Sequence, residues 1–196
     1  VPQAEEADFL ARARADGAPN FSIRSLSPND GERFVIQYMY PTAGNEQATG
    51  LDIASEANRR AAAVAAARSG QPQLTGPITL VQADGKPRRG LLILLPIYPP
   101  GAPVLTPEDR ERAVMGWSYA PLVVGDVLLD LGRVMDQVTL TLTHRSEESP
   151  FFSSSLETRD QSSSIRVERE IFVMGQTWRM QVQPRPALAT SLNLIS

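Results

Sequence analysis

The sequence predicts an α+β fold in which helices cover an antiparallel sheet. Three observations lead to this class. Runs such as "VTLTLTH" and "ITLVQ" alternate or are rich in β-branched residues, which is typical of strands. Capped runs with helical spacing lie between them. A short "ADG" turn joins "ITLVQ" to "GLLILLPIY", and a connection of this length suits antiparallel neighbours.

Length and composition exclude several classes of function. The chain has 196 residues and a net charge of -3, so it can bury a core but lacks the basic excess that nucleic-acid binding requires. It contains no cysteine, which excludes disulfides, thiolate metal sites and a cysteine nucleophile. We therefore expect a globular domain that binds no nucleic acid.

The N-terminal part predicts a helix followed by a hairpin. Ala4 to Asp16 has helical spacing and ends at Gly17, a suitable C-cap. Phe21 to Ser27 alternates apolar and polar residues and predicts a strand, and Arg33 to Pro41 predicts its returning partner. The "NDG" turn at Asn29 to Gly31 is a strong hairpin signal between them.

Further helices are predicted by their caps. Ser55 is the expected N-cap of an alanine-rich helix that ends at Gly70, and its small side chains would let it lie close to a sheet. Thr106, followed by proline, predicts the start of another helix, and "GWSYAPLV" predicts a strand after it. Gly125 to Met135 has the spacing of an amphipathic connector.

Beyond the connector the pattern becomes all-β. "VTLTLTH" alternates strictly, and a long hairpin is predicted around Gly175 and Gln176. His144 to Ser164 predicts a polar loop with an exposed "PFF" patch. We therefore divide the chain into a first subdomain, residues 1–135, and a second subdomain, residues 136–196.

Catalytic and membrane-spanning patterns are weak. "GWSYA" at Gly116 to Ala120 only partly matches a serine-hydrolase elbow, and His144 is the one histidine. A phosphate loop and a zinc or EF-hand pattern are absent, so we expect neither an enzyme nor a cofactor. The apolar runs are too short to cross a bilayer. Since the chain opens with neither methionine nor a signal peptide, we expect it to be part of a longer protein.

Residues between Phe21 and Leu131 resemble the CHASE domain, a sensory module of bacterial histidine kinases, diguanylate cyclases and plant cytokinin receptors. The resemblance rests on residues that occur in order and with compatible spacing: Tyr40, Pro41, Asn45, Gly50, Asp52, Arg60, Arg68, Gly70, Thr75, Pro77, Pro96, Tyr98, Gly116 and Tyr119. It implies two PAS-like α+β subdomains, the membrane-distal one holding the ligand. It also implies a long stalk helix that would precede this chain.

The resemblance further implies a ligand site, but one with altered polar residues. The plant receptors read an adenine-type ligand with an aspartate and a threonine, and the matching positions here are Arg59 and Leu94. Cytokinin specificity is therefore not carried over, and a guanidinium instead favours a carboxylate or phosphate. We expect a pocket for a small, anionic ligand lined by Arg59, Tyr40, Val81 and Leu94.

Further strand residues complete the predicted site, and each has an ordinary structural interpretation beside it. The additional residues are Thr75, Leu92, Tyr98, Trp117 and Tyr119. Strand residues by default pack in a core, and Arg59 on an alanine-rich helix by default is a solvated charge. Trp117 and Tyr119 alternate with Ser118, so they share one face of a strand.

Two functions remain from the sequence. The first is an extracytoplasmic, periplasmic ligand-sensing domain of an inner-membrane histidine kinase or diguanylate cyclase, which forms a homodimer through the stalk helix. The alternative is a dimerisation or partner-protein module whose cavity is filled by its own side chains. The two functions are distinguished by whether a polar side chain, here that of Arg59, reaches into the pocket.

Overall fold

A computed structural model of the chain describes residues 1–81, 87–128, 137–154 and 166–185. Within these ranges helices and antiparallel strands are mixed, so the α+β class is confirmed. The helices are α1 (Glu6–Ala15), α2 (Ala57–Ser69), α3 (Pro107–Ala113) and α4 (Val124–Leu128). The strands are β1 (Arg24–Ser25), β2 (Leu51–Asp52), β3 (Gln73–Leu74), β4 (Ile78–Val81), β5 (Pro87–Ile97), β6 (Gly116–Leu122), β7 (Val138–His144), β8 (Phe152–Ser153), β9 (Val167–Val173) and β10 (Gln176–Pro184).

The predicted N-terminal helix is confirmed, but the predicted hairpin after it is wrong. β1 pairs in parallel with β2, and Val35 forms an isolated antiparallel bridge with Asp52. The reason lies in Asn29, whose side-chain oxygen accepts from the Gly31 N–H while its Nδ2 donates to Asp52 at 2.7 Å. The "NDG" residues therefore form a local turn, and this turn is bonded to the distant loop that contains Asp52.

The ends of α2 follow the predicted caps in part. Gly70 adopts a left-handed conformation with φ of 70° and caps the C-terminus, as predicted. At the N-terminus the cap is Glu56, whose carboxylate accepts from the N–H groups of the first turn. Ser55 is not the cap because its hydroxyl accepts from the Leu26 N–H and donates to the Asp52 carbonyl.

Helix α3 begins as its sequence predicts. Thr106 and Asp109 form a capping box, in which each side chain accepts from the other residue's backbone N–H. Arg68, near the end of α2, pairs with Glu108 and Glu111 on α3. These contacts hold α3 against the end of α2.

The first sheet is organised around β5. β3 and β4 pair with one edge of β5, while β6 pairs with the other edge from Leu91↔Leu122 to Ile97↔Gly116. Between β3 and β4 the side chain of Thr75 substitutes for a backbone acceptor, since its Oγ1 accepts from the Leu92 N–H at 2.9 Å. The "ADG" turn lies outside the described residues.

Alternation along β5 places two apolar cores on opposite faces of this sheet. Leu92 and Leu94 pack against α2, where Ala63 and Ala66 are fully buried, as the alanine-rich helix predicted. Leu91 and its neighbours face the second sheet instead, in a cluster with Leu74, Leu142 and Trp178. The first sheet is therefore buried on both faces at its centre.

The second sheet has the strand order β8, β7, β10, β9. The long hairpin that the sequence predicted around Gly175 and Gln176 is present, and its turn lies at Met174 and Gly175, both with positive φ. The prediction of an exposed "PFF" patch is wrong, because Phe151 and Phe152 pack against the second core and the Phe151 ring stacks edge-on with Trp178 at 5.3 Å. The later part of the predicted loop lies outside the described residues.

Two further expectations concern the connection and the membrane. α4 forms the start of the predicted connector, and the remainder, with the boundary between residues 135 and 136, lies outside the described residues. In the part of the chain that the structure describes, every helix is too short or too polar to cross a bilayer.

Gly50 should be far less tolerant of a side chain than another glycine with the same backbone conformation. Its φ is 83°, and an added Cβ would lie 2.2 Å from the carbonyl oxygen of Ser22, whereas Gly101 has φ of 76° with open space around it. Both alanine variants carry about 1 kcal/mol of backbone strain. Gly50→Ala should cost at least about 2 kcal/mol more, since the clash forces backbone movement. Denaturant unfolding measures both, and equal losses would contradict the packing described.

Candidate functional site

A cleft of about 690 Å³ opens between the extended segment 33–40 and the first four residues of β6. Its lining is largely aromatic and aliphatic. The aromatic members are Phe9, Phe34, Tyr38, Tyr40, Trp117 and Tyr119. We call this feature the aromatic cleft, and the segment that forms its outer side the wall segment.

The wall segment is fixed at its start by Asp52, whose side chain is entirely buried. The carboxylate accepts from the N–H of Phe34 at 2.9 Å and of Ala54 at 3.0 Å. Asn29 donates to its other oxygen, and an Arg33 guanidinium nitrogen lies 3.6 Å away. A buried carboxylate with this many donors is well compensated, so it joins the wall segment to the turn that precedes α2.

Two contacts connect the wall segment to α1. The Arg33 Nε donates to Glu6 at 2.7 Å, close to the start of the helix. The Tyr38 hydroxyl donates to Asp16 at 2.7 Å, just after its end, and this hydrogen bond is the main cause of a raised Tyr38 pKa. The wall segment is therefore held by α1 as well as by Asp52.

Aromatic stacking closes the inner end of the aromatic cleft. The rings of Phe34 and Trp117 have centroids 4.5 Å apart, and the Arg60 guanidinium lies 5.3 Å from the Phe34 ring centre. The Trp117 indole N–H donates to the Ala63 carbonyl at 2.8 Å. The indole N–H is therefore satisfied, and the two rings, tilted by 40° to each other, give the inner end an apolar surface.

Among the polar groups of the aromatic cleft that have a hydrogen-bond partner, the Tyr119 hydroxyl has the weakest one. Its hydroxyl contacts the sulfur of Met39 at 3.8 Å, and a thioether is a poor acceptor. Burial raises the pKa of Tyr119 to about 12, although the neighbouring positive charge of Arg59 opposes that rise. The hydroxyl is therefore a neutral donor at physiological pH and remains able to bind a stronger acceptor.

Arg59 lies beneath Tyr119 and is only 8 % exposed. Its guanidinium donates to the Thr79 carbonyl at 3.3 Å, its Nε lies 3.7 Å from Glu56, and that Nε makes no hydrogen bond. Burial lowers the pKa of Arg59, with Glu56 opposing the effect, yet an arginine stays charged at neutral pH. It is a buried cation next to the aromatic cleft rather than on its lining.

The structure brings three of the predicted site residues together. Trp117 and Tyr119 line the aromatic cleft on one face of β6, and Tyr40 lies at its mouth with 96 % of its surface exposed. The strand register pairs Trp117 with Pro96 and Tyr119 with Leu94, which confirms that the two rings share a face. These three residues form the predicted part of the site.

The other predicted site residues lie elsewhere. Leu92 and Leu94 are buried under α2, and Thr75 is buried where its side chain bonds the Leu92 N–H. Tyr98 donates to the Ala67 carbonyl at 2.6 Å, while Val81 pairs through its backbone with Pro87 at the far end of β5. Ligand contact by these residues and by Arg59 stays a prediction.

Sequence reasoning missed most of the wall segment. Phe34, Ile36 and Met39 line the aromatic cleft, but the predicted hairpin assigned them to an ordinary strand. The available signal was the density of aromatic and apolar residues in "RFVIQYMY". Its position opposite β6 depends on Asp52, which is distant in sequence.

The comparisons with known proteins give one family. A model of the CHASE domain matches residues 1–152, which include the aromatic cleft and the first strand of the second sheet. No curated protein matches the chain. Over the described ranges, no cluster of histidine or acidic side chains could hold a metal ion.

Asp52→Ala should destabilise the chain by about 3 kcal/mol, because it leaves two buried N–H groups and the Asn29 amide without their acceptor. The matched control is Asp126→Ala, which removes an exposed carboxylate 3.6 Å from Arg88 and should cost less than about 0.5 kcal/mol. Denaturant unfolding gives both values, and hydrogen exchange at the Phe34 amide should speed up in Asp52→Ala alone. Similar stability losses would contradict the role given to Asp52.

Tyr119 should make the fold less stable at alkaline pH. Its pKa is raised to about 12 in the folded chain from the ordinary value of 10.0. The unfolded chain therefore loses this proton first, and the stability that Tyr119 contributes is complete below pH 10 and lost as the pH rises towards 12. Tyr119→Phe should flatten this part of the curve of melting temperature against pH, while Tyr98→Phe should flatten it less. Identical curves for wild type and Tyr119→Phe would contradict the shift.

Proposed function

The chain belongs to the CHASE domain family, and on this premise we propose that it senses a small molecule bound in the aromatic cleft. CHASE domains are extracytoplasmic sensory domains of receptors and are not catalytic. The proposal adds the binding site and the nature of the ligand. It rests on the geometry of the residues between the wall segment and β6.

The observation that carries the proposal is the Tyr119 hydroxyl. Arg33, Tyr38 and Trp117 of the lining donate to oxygen acceptors, whereas the Tyr119 hydroxyl, also a strong donor, contacts a sulfur at 3.8 Å. Small-molecule sites are typically concave, roughly 300–1,000 Å³ in volume, mostly apolar, and supplied with few polar groups that orient the ligand. The aromatic cleft has this combination, with Tyr40 at its mouth and Trp117 at its inner end.

The charge of the lining supports a neutral or anionic ligand. Among the described side chains that line the aromatic cleft there is no aspartate or glutamate, and the charge of Arg33 is compensated by Glu6 at 2.7 Å and Asp52 at 3.6 Å. Arg59 adds a buried cation beneath Tyr119, with an Nε that lacks a hydrogen bond. We propose that an acidic group of the ligand binds on the Tyr119 side of the aromatic cleft, where the positive charge of Arg59 attracts it.

The wider receptor is also part of the proposal. By family resemblance, we place this domain in the periplasm as part of an inner-membrane histidine kinase or diguanylate cyclase, dimerised through a stalk helix before α1. Residues 1–135 would be the ligand-binding PAS-like subdomain and residues 136–196 the membrane-proximal one. Ligand binding would shift a conformational equilibrium that the receptor reads.

One observation favours the alternative of a dimerisation or partner-binding module. Leu95, Ile97 and Met115 form an exposed apolar strip on neighbouring strand ends, with 46 %, 43 % and 69 % of their surface exposed. Contiguous apolar surface of this kind often marks an interface. A chain that dimerises through this strip should become monomeric in Leu95→Ser, as measured by light scattering; Leu95 does not line the aromatic cleft, whereas Ile97 and Met115 do.

A thermal-shift screen tests the sensing proposal. Carboxylates, phosphates, amino acids, short peptides and aromatic heterocycles are tested on the wild-type chain. A ligand at a hundred times its Kd stabilises by about 2.7 kcal/mol, which raises the melting temperature by several degrees. Tyr119→Phe should weaken binding by about 1 kcal/mol, a fivefold loss of affinity.

Tyr98→Phe is the control, since it removes a half-buried tyrosine hydroxyl outside the aromatic cleft. Equal loss of binding in the two variants, or no shift of the melting temperature with any compound class, would contradict the proposal.

A second variant pair tests the charge of the ligand. Arg59→Met removes the buried cation beneath Tyr119, and Arg112→Met removes an exposed one on α3. An anionic ligand should lose at least about fivefold in affinity in Arg59→Met and change little in Arg112→Met. Unchanged affinity in both variants would remove the anion from the proposal and leave the small-molecule site standing.

A further inference from the structure

The aromatic cleft is bounded by a free strand edge. In the part of the chain that the structure describes, β6 pairs with β5 and with no other strand. The edge of β6 that faces away from β5 therefore carries backbone groups without a ladder partner. Gly116, Trp117, Ser118 and Tyr119 of this strand line the aromatic cleft.

The register shows which backbone groups face outward. Leu92 turns both of its groups away from β6, because its N–H donates to the Thr75 hydroxyl and its carbonyl accepts from the Thr75 N–H, each at 2.9 Å. Leu92 lies opposite Pro121, so that pair is a non-hydrogen-bonded pair of the β5–β6 ladder.

Such pairs recur every second residue, so the pairs Leu94↔Tyr119 and Pro96↔Trp117 belong to the same class. Trp117 and Tyr119 consequently point their N–H and C=O groups out of the free edge. The two prolines agree with this assignment, since proline in a sheet occupies positions whose N–H is not needed by the ladder.

The opposite side of the aromatic cleft also presents unpaired backbone. Ile36 and Phe34 exchange hydrogen bonds with the segment that contains β2, and Val35 between them is the bridge residue. The N–H and C=O of Val35 therefore point away from β2. Among the described residues, no backbone bond joins Val35 to Trp117 or Tyr119 across the cleft.

We infer that the aromatic cleft binds a short peptide in extended conformation, which adds to β6 as a strand; this deepens the proposed function and rests on it. Alternating donors and acceptors two residues apart match an extended peptide backbone, the basis of recognition by strand addition. Four lining residues at about 3.3 Å each give room for a peptide of about four residues.

The lining also limits the side chains of the peptide. Trp117 and Tyr119 project from one face of β6, so alternate peptide side chains would pack against their rings. Arg33 lines the aromatic cleft and no carboxylate does so among the described residues. Because Arg33 is paired with Glu6 and Asp52, the lining favours an apolar peptide, and an acidic side chain is favoured only on the side of Tyr119, next to Arg59.

The first test uses the isotopically labelled chain and a pool of N-acetylated, C-amidated tetrapeptides with aliphatic, aromatic and acidic side chains. The backbone amide signals of Trp117 and Tyr119 should shift on titration and their hydrogen exchange should slow. In a second pool each peptide is N-methylated at every other peptide bond, and both possible sets of alternate bonds are included. This pool should bind at least tenfold more weakly. Equal binding of the two pools would overturn strand addition.

A matched pair of variants isolates the strand edge. Tyr119→Ala removes the ring and keeps the N–H, whereas Tyr119→Pro removes both, at a position of the same class as Pro121. Both should fold, as circular dichroism checks, and Tyr119→Pro should bind the peptides at least tenfold more weakly than Tyr119→Ala. Equal affinities of the two variants would overturn the inference.

The outcomes separate the inference from the proposed function. Binding of non-peptide compounds in the aromatic cleft, without any peptide binding, overturns the peptide class and leaves the sensing proposal intact. No binding by peptides or by any compound of the screen overturns both.

Discussion

The architecture of the candidate site depends on the burial of one carboxylate. Asp52 accepts from Phe34 and Ala54 and is held by Asn29 and Arg33, so residues 29–34 and residues 52–54, two segments distant in sequence, meet at one group. Such a buried charge is tolerated only when its oxygens are saturated with donors. The wall segment, the turn at Asn29 to Gly31 and the turn before α2 are therefore fixed together. This cluster therefore fixes the start of the wall segment, which forms one side of the aromatic cleft.

The same sheet physically connects the aromatic cleft to the second half of the chain. β5 carries one core on each face, and the adjoining strand β3 bonds the second sheet directly. The Leu74 N–H donates to the Met174 carbonyl at 2.8 Å, and the Gln176 amide donates to the Leu74 carbonyl at 2.7 Å. A change in β6 on ligand binding would thus act on the second sheet through a continuous path of packed residues rather than through a flexible linker.

Local signals in the sequence were sufficient for several elements and insufficient for the site. Gly70 and Thr106 end and start helices through contacts with near neighbours, so their roles follow from spacing alone. The "NDG" hairpin failed because Asn29 bonds Asp52, and no local pattern encodes that partner. The face shared by Trp117 and Tyr119 was predictable from strand alternation. Leu94, which was expected in the pocket, is wholly buried beneath the alanines of α2, and its contact with a ligand stays a prediction.

We propose that this domain recognises its ligand in the aromatic cleft. The most direct measurement is a crystal structure of the chain with a compound or peptide that raises its melting temperature. We expect electron density for the ligand between the wall segment and β6, with an acceptor atom of the ligand within hydrogen-bond distance of the Tyr119 hydroxyl. Density at any other place, with the Tyr119 hydroxyl still against Met39, would contradict it.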